Sequence, residues 1–357
     1  MNINQQAVKT KDKDNYFEII RGICIICVVL IHSQNGIEYK DSGIYSFNYD
    51  YWLIGRQFIN FPVAVFVFLT AYFTNITKVT ESPLRYYKSR GSRLLIPFLV
   101  WSILYSALSV VIGGFNIDIV SILLKIVEGQ ASTPMYYIVV LMQLVLITPI
   151  LIRCIGNRYL NLMVFLITPI YLILIYAYSY VTKHQMPLYG TLFPAWLIFY
   201  YLGLYIKIKG YPITIKVKPV GKALIIVLGV SLFSIIECYL MIYLGFEDGF
   251  ASSQIKISSF LYSISIINLI LVLKDNHHKT MQNAIVKIGN YSYGIFYVHC
   301  FWLLIINVVI VKIPFIHNLL PVYQLTQVTA ALALSIACII VTNKIIGKKL
   351  SSKYLGF

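Results

Sequence analysis

The chain has 357 residues, of which 59% are hydrophobic and 12% charged, and its mean hydropathy is +0.78. A water-soluble fold has no means of covering that much apolar side chain, so the soluble globular classes are excluded. The formal net charge of +16 would suit nucleic acid in a soluble protein, but its distribution here points to a lipid bilayer, and nucleic acid is not an expected partner.

Apolar runs of about 20 residues, the length that spans a bilayer, fall near 15–34, 57–76, 94–113, 134–152, 160–181, 190–206, 223–244, 255–273, 288–311 and 323–346. They predict an all-α integral membrane protein, a bundle of about ten transmembrane helices. The first run is not read as a cleaved signal: no small-residue cleavage site follows Ile31, and the run contains Arg21 and His32. All but six of the 29 Lys and Arg residues fall in the N-terminal segment, in alternate connections and in the C-terminal segment; the six are Lys40, Arg56, Lys125, Lys183, Lys256 and Lys312. Basic connections stay cytoplasmic, so both termini are expected inside and the number of spans even. The expected organisation is a cytoplasmic tail at 1–14, a membrane domain at 15–346 and a cytoplasmic tail at 347–357. No internal repeat of the kind that builds paired-half transporters is visible.

Ionisable residues inside a membrane are costly and are functional candidates by default. The first run holds three, Glu18, Arg21 and His32. Eleven residues separate Arg21 from His32, about three turns plus 20°, so both project from one helical face about 16.5 Å apart. Glu18 lies one turn before Arg21, placed to pair with its guanidinium. Imidazole titrates near neutrality, which makes His32 a candidate general base or acyl carrier; equally, it is a histidine that hydrogen-bonds a neighbouring helix while Arg21 reaches lipid head groups. Cys24-Ile-Ile-Cys27 has redox-motif spacing, but inside an apolar helix it reads as packing. Aromatics and carboxylates at 35–56, among them Glu38, Asp41, Tyr49 and Trp52, suit either a sugar-binding surface or an interfacial belt. Glu237 is a deeply placed carboxylate with no spacing rule behind it, and His277-His278 read as solvated. No metal-ligand spacing is present, and no metal is expected.

The string Glu18-x-x-Arg21-Gly22, followed ten residues on by His32-Ser33, resembles the opening signature of the acyltransferase-3 family of membrane acyltransferases. Further segments agree in order: Pro62 to Phe73 resembles the family's Phe-rich helix, Arg90-Gly-Ser-Arg93 with Pro97 its paired arginines and proline, and Met135-Tyr-Tyr137 through Pro149 its aromatic-led helix. Phe199-Tyr-Tyr-Leu-Gly-Leu204 and Ile288-Gly-Asn-Tyr-Ser-Tyr-Gly-Ile-Phe-Tyr-Val-His299 resemble two later signatures. One departure is Thr70-Ala71, where the family has Ser-Gly. The resemblance implies an O-acyltransferase, with acetyl the expected group, working in the cell (cytoplasmic) membrane. It would move the acyl group from cytoplasmic acyl-CoA, as donor substrate, to a hydroxyl of a cell-surface polysaccharide or lipid-linked glycan. It implies catalysis at His32 with Arg21 and Glu18, coenzyme A phosphates held by Arg90 and Arg93, and glycan-synthesis proteins as neighbours. His299 is expected as a supporting or merely buried histidine. The alternatives are a transporter or flippase of a lipid-linked glycan, or an acyltransferase for a small cytoplasmic acceptor.

Overall fold

The computed structural model describes residues 15–33, 46–112, 118–210, 220–274, 283–310, 312–313 and 318–357. The expected tail at 1–14, Glu38 and Asp41 of the first long connection, and His277-His278 lie outside these residues. The described residues form helices joined by turns and short irregular segments, with no strand among them. Its helices are α1 (Tyr16–Ser33), α2 (Phe47–Phe58), α3 (Pro62–Tyr72), α4 (Ile76–Glu81), α5 (Pro83–Ile112), α6 (Ile119–Val127), α7 (Tyr136–Ile155) and α8 (Arg158–Thr182). They continue as α9 (Leu197–Lys209), α10 (Val220–Tyr243), α11 (Asp248–Ala251), α12 (Ile257–Lys274), α13 (Asn283–Asn290), α14 (Ser292–Ile310), α15 (Leu320–Ile346) and α16 (Lys348–Tyr354).

Nine spans among the described residues are long and apolar enough to cross a membrane. In α5, α8, α10 and α15 only 28% of the span is buried, whereas α1, the α2–α3 pair, α7, α12 and α14 are half buried or more. The first set therefore forms an outer ring that turns Ile103, Ile173, Leu228 and Val341 outward, as lipid contact requires. The second set is the inner layer, and buried polar side chains lie on its helices and on the inward faces of the outer ones, as with Thr168 and Glu237.

The remaining apolar run, 190–206, differs from expectation. Its helix, α9, has only 13 residues and is buried almost throughout, from Leu197 to Leu204. It is approached through irregular backbone whose polar groups must be met inside the protein, because lipid offers no partners. Neighbouring helices supply them. Gln143 of α7 donates to the Thr191 carbonyl (2.9 Å) and accepts from the Phe193 amide (2.9 Å). Thr168 and Tyr171 of α8 donate to the Pro194 and Tyr189 carbonyls, and Trp196 Nε1 donates to Gly190. Because Tyr201 then bonds Asn161 near the start of α8 (2.8 Å), α9 runs antiparallel to α8.

Two of the six cations read as outer-loop charges are corrected. The second span is Phe47–Tyr72, not 57–76. Ser46 caps α2 by accepting from the Tyr49 amide, Tyr49, Trp52 and Leu53 are buried in its face, and Pro62 restarts the chain as α3. Arg56 thus lies within a span. Lys256 is fully buried, its Nζ 3.6 Å from Glu237 Oε2 and bonded to the Ser234 carbonyl at 2.8 Å. Glu237 also accepts from Tyr176 (2.7 Å) and the Ser258 amide (3.0 Å); its role is to join α8, α10 and α12. The C-terminal segment also packs: Trp101 donates to the Leu355 carbonyl and its ring contacts Phe357.

Helix approach is set by small residues. A Cβ on Gly22 would overlap the Ile285 carbonyl oxygen, and one on Gly289 would overlap that of Glu18, so α1 and α13 cross backbone to backbone. Likewise a Cβ on Gly203 of α9 would lie 2.5 Å from the Phe68 carbonyl and 2.8 Å from the Ala71 Cβ. The glycine that lets α3 and α9 approach stands on α9, which accounts for the tolerance of Ala71. Substituting Gly289 by Ala is expected to cost about 1–3 kcal/mol through overpacking and to lower the melting temperature of the detergent-solubilised protein. Gly229→Ala, in α10 with open space around it, is expected to leave that temperature unchanged or raise it.

Candidate active site

Arg21, Arg90 and Arg93 converge although they come from α1 and α5. Together with Glu18, Thr70, Tyr137, Asn290 and Tyr293 they line one cavity of about 470 Å³, within the roughly 300–1,000 Å³ range of small-molecule sites. Glu18 Oε1 accepts from Arg21 Nη1 at 2.8 Å, the pairing expected from their spacing. The Arg21 guanidinium also lies over the Phe73 ring, 5.2 Å from its centroid. Arg93 lies over Tyr293 at 5.9 Å, and the Tyr293 hydroxyl donates to its carbonyl. Neither Arg90 nor Arg93 pairs with a carboxylate among the described residues, which leaves two guanidiniums facing the cavity. Lys274 stands nearby over Phe17 and Tyr72, and Lys207 over Tyr72. Cations from α1, α5, α9 and α12 thus gather at one end of the bundle, the basic end.

His32 lies at the far end of α1. Three cavities meet its ring: a narrow one of about 20 Å³, and larger ones of about 410 and 560 Å³ on either side. The narrow one shares Phe66, Tyr137 and Phe296 with the cavity at the basic end, so these aromatic side chains stand between the two spaces. Arg21 and His32 do share one face of α1, as their spacing predicts. No described residue hydrogen-bonds the His32 ring. A histidine that holds two helices together would have such a bond; this one presents its nitrogens to space.

His299 is fully buried, and its ring centroid is 5.5 Å from that of His32. Its Nδ1 lies 2.9 Å from the Ile295 carbonyl, a bond that requires the proton on Nδ1 and leaves Nε2 its lone pair. Cys300 Sγ is 3.4 Å from Nε2. The sequence carried the signal for this pairing. Gly22 precedes His32 by ten residues and Gly289 precedes His299 by ten, and the glycines are where the two segments touch. From that contact α1 rises about 15 Å to His32, and the chain that turns at Tyr291 from α13 into α14 brings His299 beside it.

Arg56 escaped the sequence reading. It reaches the larger cavity beside His32 from α2, and its Nη1 donates to the Ile31 carbonyl at 3.3 Å. Tyr136, Tyr189 and Gln254 share that cavity, with Gln254 Nε2 donating to the Tyr136 hydroxyl at 2.7 Å. The signal was an arginine eleven residues after an aromatic, partly polar stretch began, but charge counting assigned it to a loop. Among the described residues no group of His, Cys, Asp and Glu has the geometry of a metal site, and all six cysteines are free; Cys24 is wholly buried, in keeping with packing.

An arginine-lined cavity at one end and an unbonded histidine at the other thus have three aromatic side chains in common between them. Comparison with curated proteins and with solved structures gives no match. A family model described as an acyltransferase domain matches residues 14–344, nearly the whole chain and every element of the site. The chain is a multi-pass membrane protein with 331 of its residues under that match, and it belongs to the acyltransferase-3 family.

Proposed function

We propose that this acyltransferase moves an acyl group, acetyl in the first instance, from acyl-CoA to a hydroxyl of a cell-surface polysaccharide or its lipid-linked precursor, in the cell membrane. The observation that carries the reading is the shared lining of the two sites: Phe66, Tyr137 and Phe296 belong both to the arginine cavity and to the space beside His32. Coenzyme A phosphates suit Arg90 and Arg93, whose forked donors match phosphate oxygens. Glu18 holds Arg21 at the mouth. The pantetheine arm then follows the face of α1 through the aromatic constriction toward His32.

At that end the acceptor hydroxyl gives its proton to His32 as its oxygen attacks the thioester carbonyl. The tetrahedral intermediate collapses with departure of the coenzyme A thiolate, which takes the proton back from the imidazolium. His299 packs against the His32 ring and acts as a positioning residue. The donor would occupy the basic end, which the charge rule assigns to the cytoplasm, and the acceptor the opposite end. The rival reading is a flippase, since two end cavities with a constriction between them also describe alternating access. Radiolabelled acetyl-CoA given to the purified protein with surface polysaccharide separates the two: lasting label on the polysaccharide requires an enzyme.

His32→Ala is expected to lower acylation of surface polysaccharide by about 10²–10⁴-fold, the usual worth of a general base, with the protein still present in the membrane. Mass spectrometry of the polysaccharide reads this, and unchanged acylation contradicts the assignment. Arg90→Gln and Arg93→Gln are each expected to raise the KM for acetyl-CoA about tenfold or more, since a charged hydrogen bond is worth about 1.5–3 kcal/mol, with a smaller effect on kcat. A fall in kcat at unchanged KM would remove them from donor binding.

A further inference from the structure

We propose that the acceptor is anionic and that Arg56 binds its carboxylate or phosphate in the cavity beside His32. The inference rests on the reading of that cavity as the acceptor's side.

Arg21, Arg56 and Lys256 are all set among the packed helices, and two of them have counter-ions built into the chain. Arg21 has Glu18 at 2.8 Å. Lys256, fully buried, has Glu237 at 3.6 Å and the Ser234 carbonyl and hydroxyl. The wholly buried cation, Lys256, is thus supplied with a carboxylate, as the cost of an isolated charge demands. Arg56 is the exception. No carboxylate among the described residues pairs with it, its one hydrogen bond is to the Ile31 carbonyl at 3.3 Å, and its buried Nε has no partner at all.

The cavity that Arg56 lines holds about 560 Å³, enough for a sugar residue or two, and every other described polar side chain around it is neutral or is His32 itself. Gln254 places a second unsatisfied group there: its Nε2 is engaged with Tyr136, while its Oε1 is buried without a partner. The cavity therefore offers a planar, forked cation and a carbonyl acceptor within the same walls. A guanidinium takes carboxylate or phosphate through two parallel hydrogen bonds, and an amide oxygen takes a hydroxyl. A uronic acid residue and a sugar phosphate both present that combination. With its anion on Arg56, which is bonded to the residue preceding His32, such a sugar holds a neighbouring hydroxyl toward the imidazole.

The test is binding to the purified full-length protein with coenzyme A present at saturation, so that the arginines of the basic end are already occupied. Glucuronate, glucose 6-phosphate and glucose are titrated in turn by calorimetry. The expected result is at least tenfold tighter binding of one charged sugar than of glucose, with that preference lost in Arg56→Gln. Whichever charged sugar shows the larger preference tells carboxylate from phosphate. Equal binding of all three, no binding of either charged sugar, or a preference that survives Arg56→Gln overturns the proposal. Should that variant not fold, Arg56→Lys carries the test: it keeps the charge and loses the fork, so the preference should shrink severalfold, and an unchanged preference contradicts it. Because no acyl transfer is read, failure here leaves the role of His32 standing, and failure of transfer in His32→Ala leaves Arg56 untouched.

Discussion

The backbone contact between Gly22 of α1 and Gly289 of α13 is the constraint on which the site depends. Two helical segments that begin at the same end of the bundle meet at a point where neither tolerates a Cβ. That contact fixes their relative height, and everything above and below follows from it. Below it, Glu18 and Arg21 are pressed against Gly289 and Asn290 at the edge of the arginine cavity. Above it, equal ten-residue advances bring His32 and His299 to 5.5 Å. A one-residue slip of either segment would turn its histidine by about 100° and dissolve the pair.

The surroundings follow the logic of a protein whose solvent is lipid. Outer helices turn apolar side chains outward and polar ones, such as Thr168 and Glu237, inward. Where the chain departs from helix at depth, around 189–196, side chains of α7 and α8 and Trp196 satisfy the exposed carbonyls and amides. That irregular segment is also one wall of the cavity beside His32.

Much of this was legible in the sequence, and the failures share one cause. Run lengths and alternating charge are enough for an all-α membrane bundle. Glu18, Arg21 and His32 are read from helical arithmetic, which the structure reproduces in the 2.8 Å ion pair and the common face. Hydropathy, however, does not distinguish a segment that is apolar because lipid touches it from one that is apolar because protein surrounds it. Thus α9 passes for a full span although it is a short buried helix. By the same limitation, a charge between two apolar runs passes for a loop charge. Arg56, between the runs at 15–34 and 57–76, stands inside the bundle facing a cavity, and Lys256, at the edge of the run at 255–273, is buried against Glu237. That Arg90 and Arg93 stand with Arg21 at one end follows from the family resemblance and the charge rule, but the side chains they share that cavity with, such as Thr70, Tyr137 and Asn290, need the tertiary structure.

The central claim is that donor and acceptor approach His32 from opposite ends, through an aromatic constriction. Sealed vesicles that hold the protein in one known orientation test this directly, with impermeant polysaccharide acceptor and labelled acetyl-CoA placed on the same side or on opposite sides. The account predicts labelled acceptor only when acetyl-CoA is at the basic end and acceptor at the other. Label formed with both at one end would contradict it.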